Sequence, residues 1–226
     1  MDTRAEINKN GIALVPDVVS PHEASRLLQS LDSNSLRRSR AGIRHLMGHG
    51  AVAELANSPG MLAIAGAILG DAAFPFRATL FDKSAEANWL VVWHQDTALP
   101  IRTRLDAAGW GPWSVKDAVN YAHAPARALE QVLALRLHLD DSTEQNGPLR
   151  VLPRTHNLGV LPDEEVKRLS KELHAKDCLA NRGSVLAMRP LLIHSSSRSQ
   201  NDSPRRVLHI EYAPSASIDG LELATA

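Results

Sequence analysis

Apolar positions in the first seventy residues recur at helical spacing, and from residue 71 onward they gather into short runs punctuated by Gly, Pro and Asn. Residues 11–19 are rich in β-branched side chains and broken by Pro16, which predicts a strand at a sheet edge, where a missing N–H costs no ladder bond. Ser20-Pro21-His22-Glu23 predicts a helix start. Ser20 can accept from free N–H groups, Pro21 suits the first turn and Glu23 can reach back, ahead of Ala24, Leu27, Leu28 and Leu31. Ser58-Pro59 opens a second predicted helix through Met61, Ile64, Ala65 and Ile68 to a stop at Gly70. Strands are predicted at 74–81, 89–93, 132–139, 149–152, 184–188 and 207–212, with a surface helix at 162–173. Many short strands without long helices between them predict a sandwich or barrel. The pattern therefore divides into a mainly helical part, 1–70, and a β core, 71–226. The stretch 97–130 is too long for an ordinary connection and is expected to be a lid loop.

Composition narrows the class. A chain of 226 residues suits one domain with a sizeable core, and 25 basic against 25 acidic side chains give no overall attraction to nucleic acid or to anionic lipid. The longest apolar run, 61–69, is about half the ~20 residues that a membrane helix needs. The first residues lack a signal-peptide pattern and Cys178 stands alone, so a cytoplasmic protein is expected. Oligomeric state is not legible.

Two short motifs carry candidate chemistry. His94 and Asp96 lie two apart at the end of an apolar run, so both would project from one face of a strand and could grip one ion. His194 follows Leu191-Leu192-Ile193 at the end of another predicted strand, and a barrel can bring it beside the first pair. Two His and one carboxylate on one side of a metal form the facial triad of non-haem Fe(II) oxygenases, which leaves coordination positions open for catalysis. Pro204-Arg205-Arg206 opens the last strand, and a guanidinium turned inward there would need an anionic partner such as a dicarboxylate.

With these residues in view, the chain resembles the phytanoyl-CoA dioxygenase family of Fe(II)/2-oxoglutarate oxygenases. The resemblance runs from the opening strand and helix through Phe81-Asp82-Lys83 and His94-Gln95-Asp96. It continues through Leu139-Asp140-Asp141 and Asn146-Gly147-Pro148-Leu149-Arg150-Val151-Leu152-Pro153 with His156, to Asn201-Asp202-Ser203-Pro204-Arg205-Arg206. Arg154-Thr155 departs from the usual Gly-Ser before the His. The resemblance implies a double-stranded β-helix, a cupin-like jelly roll flanked by helices. It implies that His94, Asp96 and His194 bind Fe(II), that Arg205 binds the distal carboxylate of 2-oxoglutarate with Ser196 and Lys83 nearby, and that Trp113 approaches the cosubstrate. The implied reaction uses O2, releases succinate and CO2 and hydroxylates a C–H bond of a small molecule. Related halogenases carry a small residue in place of the carboxylate, so Asp96 argues for hydroxylation.

Other positions keep two readings. The four tryptophans fall within 89–113 and either anchor the long segment or line a pocket. Ser196 either contacts the carboxylate or satisfies a turn. On the strand at 131–140, alternation puts Val132, Ala134, Arg136 and His138 opposite the leucines; if that face lines the barrel, Arg136 could hold a substrate carboxylate, and otherwise it faces solvent. Arg150 is a second candidate for the substrate. Lys116, Tyr121 and His123 lie on the long segment; His45 and His49 read as part of a polar connection. Two further function classes remain beside the hydroxylase: a cupin-like metalloenzyme without 2-oxoglutarate, which Arg205 argues against, and a non-catalytic binding module.

Overall fold

The computed structural model describes residues 2–32, 36, 42–83 and 88–226, and the backbone of 38–39. The chain opens with α1 (Thr3–Asn10), capped by the Asp2 carboxylate, followed by β1 (Ile12–Val15), which stops one residue before Pro16. In α2 (Pro21–Leu31) both halves of the Ser20/Glu23 capping box form. After β2 (Arg38–Ser39) and β3 (Gly42–Ile43) come α3 (Gly50–Ala56) and α4 (Pro59–Leu69), the latter ending at Gly70 as its sequence predicts. Neither α1 nor α3 was expected: α1 has no apolar stripe, burying only Ile7, and α3 is seven residues long. Among the described residues no single helix is long and apolar enough to cross a membrane.

The β region continues with β4 (Phe74–Lys83), β5 (Val91–His94), β6 (Ala98–Ile101), β7 (Trp113–Lys116), β8 (Val119–His123), α5 (Ala126–Leu129) and β9 (Leu133–His138). It is completed by β10 (Leu149–Val151), α6 (Asp163–Glu172), β11 (Lys176–Cys178), β12 (Val185–Met188), β13 (His194–Ser196), β14 (Arg205–Ala213) and the small hairpin β15 (Ser217–Ile218) and β16 (Leu221–Glu222). A seven-stranded antiparallel sheet, β1-β12-β9-β14-β4-β3-β2, faces a four-stranded sheet, β11-β10-β13-β5. This is a jelly roll flanked by helices, with its sheets not closed into a continuous barrel. The boundary at residue 70 is less clean than the hydrophobic pattern predicts, because β1 and β3 are strands of the large sheet.

Strand alternation makes that sheet two-faced. Leu133, Leu135 and Leu137 of β9, Leu208, Ile210 and Tyr212 of β14, and Ala78 and Leu80 of β4 pack with α2, α3 and α4 in one buried cluster. At about 1.5–3 kcal/mol for each large apolar side chain buried, this face holds the helices against the sheet. The opposite face carries Arg77, Thr79, Phe81 and Lys83, then Arg205, Val207, His209 and Glu211, and then Arg136 and His138. These residues lie between the sheets, so the polar face of β9 lines the interior rather than solvent. A small apolar cluster of Ile12, Ala134, Leu186 and Met188 with Leu149, Val151 and Leu192 closes the other part of that space.

Residues 97–130 are not an irregular loop. They form a three-stranded sheet, β6-β8-β7, that packs Leu99, Ile101, Trp110 and Ala122 into a second apolar cluster. The β7–β8 hairpin was hidden because its two turn residues, Asp117 and Ala118, both take positive φ (47° and 66°). That geometry normally shows in a sequence as Asn-Gly or Asp-Gly.

Candidate active site

His94 ends β5 and His194 begins β13, and the two are direct partners across the antiparallel pair, with ring centroids 4.2 Å apart. His194 therefore opens its strand rather than closing one. Asp96 lies just past β5, fixed by its N–H donating to the Pro190 carbonyl at 2.9 Å. Its two carboxylate oxygens stand 3.5 Å from Nε2 of His94 and 3.5 Å from Nε2 of His194. Each imidazole bonds its Nδ1 to a carbonyl two residues back, Val92 at 2.8 Å and Leu192 at 2.9 Å. A carbonyl accepts only from an N–H, so the proton sits on Nδ1 and the Nε2 lone pair of each ring faces the carboxylate. Three electron-rich atoms thus converge within 4.8 Å of one another, an arrangement a divalent cation satisfies.

The electrostatics agree. Burial pushes Asp96 up, but His194 and His94 outweigh it and hold the carboxyl well below its usual range. Burial pushes His194 down to about 4, so it is neutral and ready to ligate. His94 goes the other way: burial lowers it, yet the Asp96 hydrogen bond and charge prevail, and its pKa rises above the ordinary 6.5. Protons and metal therefore compete at His94. Fe(II) affinity is expected to fall as pH drops through a point above 6.5, with one proton released per metal bound below that point; anaerobic Fe(II) titrations on either side of it check this.

A second group lies at the far end of β4 and β14. Arg205 and Lys83 are direct partners across these strands and both are buried. Lys83 Nζ donates to Ser196 Oγ at 2.8 Å and Arg205 Nη2 donates to the same oxygen at 3.0 Å, while that hydroxyl donates to the Gly147 carbonyl at 2.9 Å. Gly147 has φ +68°, and a Cβ there would lie 2.4 Å from the Ser197 carbonyl oxygen, so only glycine lets this loop approach Ser196. Among the described residues neither cation has a carboxylate partner. Burial and then Arg205 push Lys83 down to about 7; burial and then Arg136 push Arg205 down to about 9. Two buried cations that destabilise one another require an anion.

Between this end and the triad lie Arg136 and His138. Arg136 bonds Nδ1 of His209 at 2.9 Å, but its Nε is without a partner, as are both ring nitrogens of the buried His138. Burial, then Arg136 and Arg205, push His138 down to about 3, so it is neutral. Unpartnered polar atoms, unneutralised cations and a metal-ready triad share one interior space, which fits a small dianion that also reaches the metal.

The comparisons with known proteins bear directly on this arrangement. Residues 7–207 match the model of the family described as phytanoyl-CoA dioxygenase. The chain belongs to that family. An L-proline trans-4-hydroxylase of Streptomyces griseoviridis is 24% identical to this chain, over 94% of it and 85% of the relative. AviO1 from Streptomyces viridochromogenes Tue57 superposes with a TM-score of 0.67 at 21% identity, covering 93% of each chain. The epimerase SnoN, in complex with Fe3+, alpha ketoglutarate and nogalamycin RO, superposes with a TM-score of 0.69 at 18% identity, over 99% of this chain and 94% of the other.

This phytanoyl-CoA dioxygenase family protein is an Fe(II)/2-oxoglutarate-dependent oxygenase of the hydroxylase type, with Fe(II), 2-oxoglutarate and O2 as its cofactor and cosubstrates. When bound, the metal and keto acid would supply the activation of O2, and the residues of this chain would hold and orient them. The His94, Asp96 and His194 group fits Fe(II), and Arg205 and Lys83 converge on Ser196 with no carboxylate partner among the described residues. Lys83 must regain its proton to pair with a carboxylate there. Affinity for 2-oxoglutarate is therefore expected to fall as pH rises above about 7, which titrations at constant Fe(II) would measure.

The remaining expected site residues divide. Arg136 is inside, beneath the triad. Arg206 turns outward onto both oxygens of Asp140, at 2.7 and 2.8 Å, as alternation with Arg205 requires. Arg150 is not at the site: it alternates with the inward Leu149 and Val151, pairs with Asp177 at 2.9 Å and lies over Trp93 on the outer face of the small sheet. Trp113 packs on the apolar cluster of the small three-stranded sheet, beneath Arg104, and makes no contact with the triad or with Arg205. Trp110 is anchored there too, donating to Asp219, so the anchoring reading holds for these two tryptophans. Trp89 instead lies against Lys83, 5.5 Å from its Nζ. His45, read as part of a polar connection, bonds the Tyr121 hydroxyl at 2.9 Å, and Arg77 was not singled out at all. Arg77 shares the face of Lys83 by simple alternation along β4, a signal present in the sequence; His45 carried none.

Proposed function

We propose that this enzyme hydroxylates an unactivated C–H bond of a small molecule, with His94, Asp96 and His194 as the iron ligands and Arg205 and Lys83 as the anchor of 2-oxoglutarate. The observation that carries the reading is the pairing of two features in one interior: a triad with bare Nε2 atoms facing a carboxylate, and two buried cations lacking an anion. A cupin-like enzyme without 2-oxoglutarate would have no use for the second feature. Asp96 supports oxygen transfer over halogenation, because its carboxylate fills the position a halide would need. Relatives with such different named molecules as L-proline and nogalamycin RO support a small-molecule substrate without choosing among them. The reading places the enzyme in the cytoplasm, in keeping with a single, buried, free thiol at Cys178.

The test needs no substrate. Fe(II) followed by 2-oxoglutarate is added without oxygen, and the weak visible charge-transfer band of the chelate is recorded. Its appearance is expected and would justify screening compounds for stimulated succinate release. Fe(II) binding without the band would turn the reading toward the cupin-like alternative.

A further inference from the structure

The inner face of the large sheet has two charged ends, and 2-oxoglutarate uses only one. Lys83 and Arg205 mark the first; Arg77, six residues before Lys83 on the same face and so about 20 Å away at ~3.3 Å per residue, marks the other with its partner Glu211 at 3.3 Å. The triad lies over the middle, where Arg136 and His209 both feel the Asp96 charge. A cosubstrate reaching from the metal to Arg205 leaves the Arg77 end for whatever is oxidised.

That end is built from several elements. The Tyr121 ring of β8 has Lys116 Nζ of β7 4.7 Å from its centroid and the Arg77 guanidinium 5.6 Å away. Its hydroxyl bonds Nε2 of His45, whose backbone is held in the left-handed region at φ 59°. Arg77 is fixed by the Ala98 carbonyl at 2.9 Å as well as by Glu211. Arg44 is close enough for its charge to act on Lys116, His45 and Tyr121, and Lys116 and Arg77 both lie within reach of the Asp96 charge, so the cluster is on the triad's side of the interior. Burial keeps His45 uncharged. Among the described residues Lys116 has no carboxylate partner, while Arg77 is paired with Glu211, and both cations stand over one phenol ring.

We propose that Lys116, Arg77 and the Tyr121–His45 pair dock a carboxylate of the substrate, so that the enzyme acts on small monocarboxylic acids held by the acid end at this rim with a C–H bond turned toward the metal. A carboxylate suits these donors because Lys116 is a cation without an acidic partner among the described residues and stands beside the Arg77 guanidinium and the Tyr121 ring. The proposal rests on the assignment of the metal and of the Arg205 end made above.

The test uses the full chain loaded with Fe(II) and 2-oxoglutarate without oxygen, after the charge-transfer band has been recorded. L-Proline, L-isoleucine, phenylacetate and hexanoate are each compared with their carboxamides. Binding is read as a shift of that band, and stimulated succinate release is then read in air. At least one acid is expected to bind about tenfold or more tightly than its amide. Lys116→Met, a change at an exposed position, should erase that preference while leaving the dissociation constant of 2-oxoglutarate within about twofold. If no acid outperforms its amide, or if the preference survives in Lys116→Met, the carboxylate site is overturned and the oxygenase assignment stands. Absence of the band itself would overturn the assignment beneath it.

Discussion

Arg205→Ala is expected to weaken 2-oxoglutarate binding by about 100-fold or more while changing Fe(II) affinity by less than about threefold. The guanidinium is buried and supplies a charge-assisted fork to a carboxylate; loss of one partner of such a pair costs about 3–5 kcal/mol, and 1.4 kcal/mol is a factor of ten. The metal triad sits on the other sheet and does not contact Arg205, so iron should bind almost as before. Thermal stability of the ligand-free variant should hold or rise, because the wild-type Arg205 is a buried cation crowded by Lys83 and Arg136. Arg205→Lys should fall between, keeping charge but losing the fork. Anaerobic titrations of the chelate band and of Fe(II) separate these effects, and equal losses of both affinities would count against the assigned role.

The second large effect is expected at the metal. His94→Ala should reduce Fe(II) affinity by more than about 100-fold, beyond the range lost when only an outer partner of a ligand is removed, and abolish succinate release. The side chain of His94 is 36% exposed, so truncating it leaves no sealed cavity and the protein should fold normally; circular dichroism and the melting temperature of the ligand-free protein provide the control. His194→Ala should lose iron equally but also lose stability, because that imidazole is buried and bonded to the Leu192 carbonyl. Retention of stoichiometric Fe(II) by His94→Ala would remove it from the ligand set.

Several parts of this arrangement were legible in the chain because they depend on local rules. The Ser20/Glu23 capping box and the stop at Gly70 are local hydrogen-bond and steric requirements, and each forms as its residues predict, while the edge strand expected over 11–19 is cut short at Val15 by Pro16. The outward turn of Arg206 and the inward turn of Arg205 follow from the two-residue period of a strand. The same period sends the leucines of β9 to the helices and Arg136 and His138 to the interior. What alternation could not supply was the sign, that is, which of the two faces is the inside. The polar face of β9 is enclosed because the small sheet covers it and the helices cover the other.

Four expectations differ from the structure. The resemblance points Trp113 to the cosubstrate and Arg150 is a candidate for the substrate, but a side chain's partner is set by the sheet above or below it: Trp113 packs on an apolar cluster and Arg150 pairs with Asp177. The segment 97–130 reads as a loop in the sequence because its hairpin turn uses Asp117-Ala118, both at positive φ, in place of the usual glycine. His45, at a left-handed position in an irregular connection, meets Tyr121 only because β3 and the three-stranded sheet come together at one rim.

Legible from the residues alone were the capped helices α2 and α4, the alternating faces of β9 and β14 and the His-x-Asp and His motifs that meet in one group, since caps, strand period and motif spacing are local properties. The tertiary structure alone decided which cations share an interior without an anion and which histidine joins Tyr121 at the rim. Those facts depend on contacts between strands and loops 76 to 113 residues apart, which chain order does not encode and only the closing of two sheets brings about.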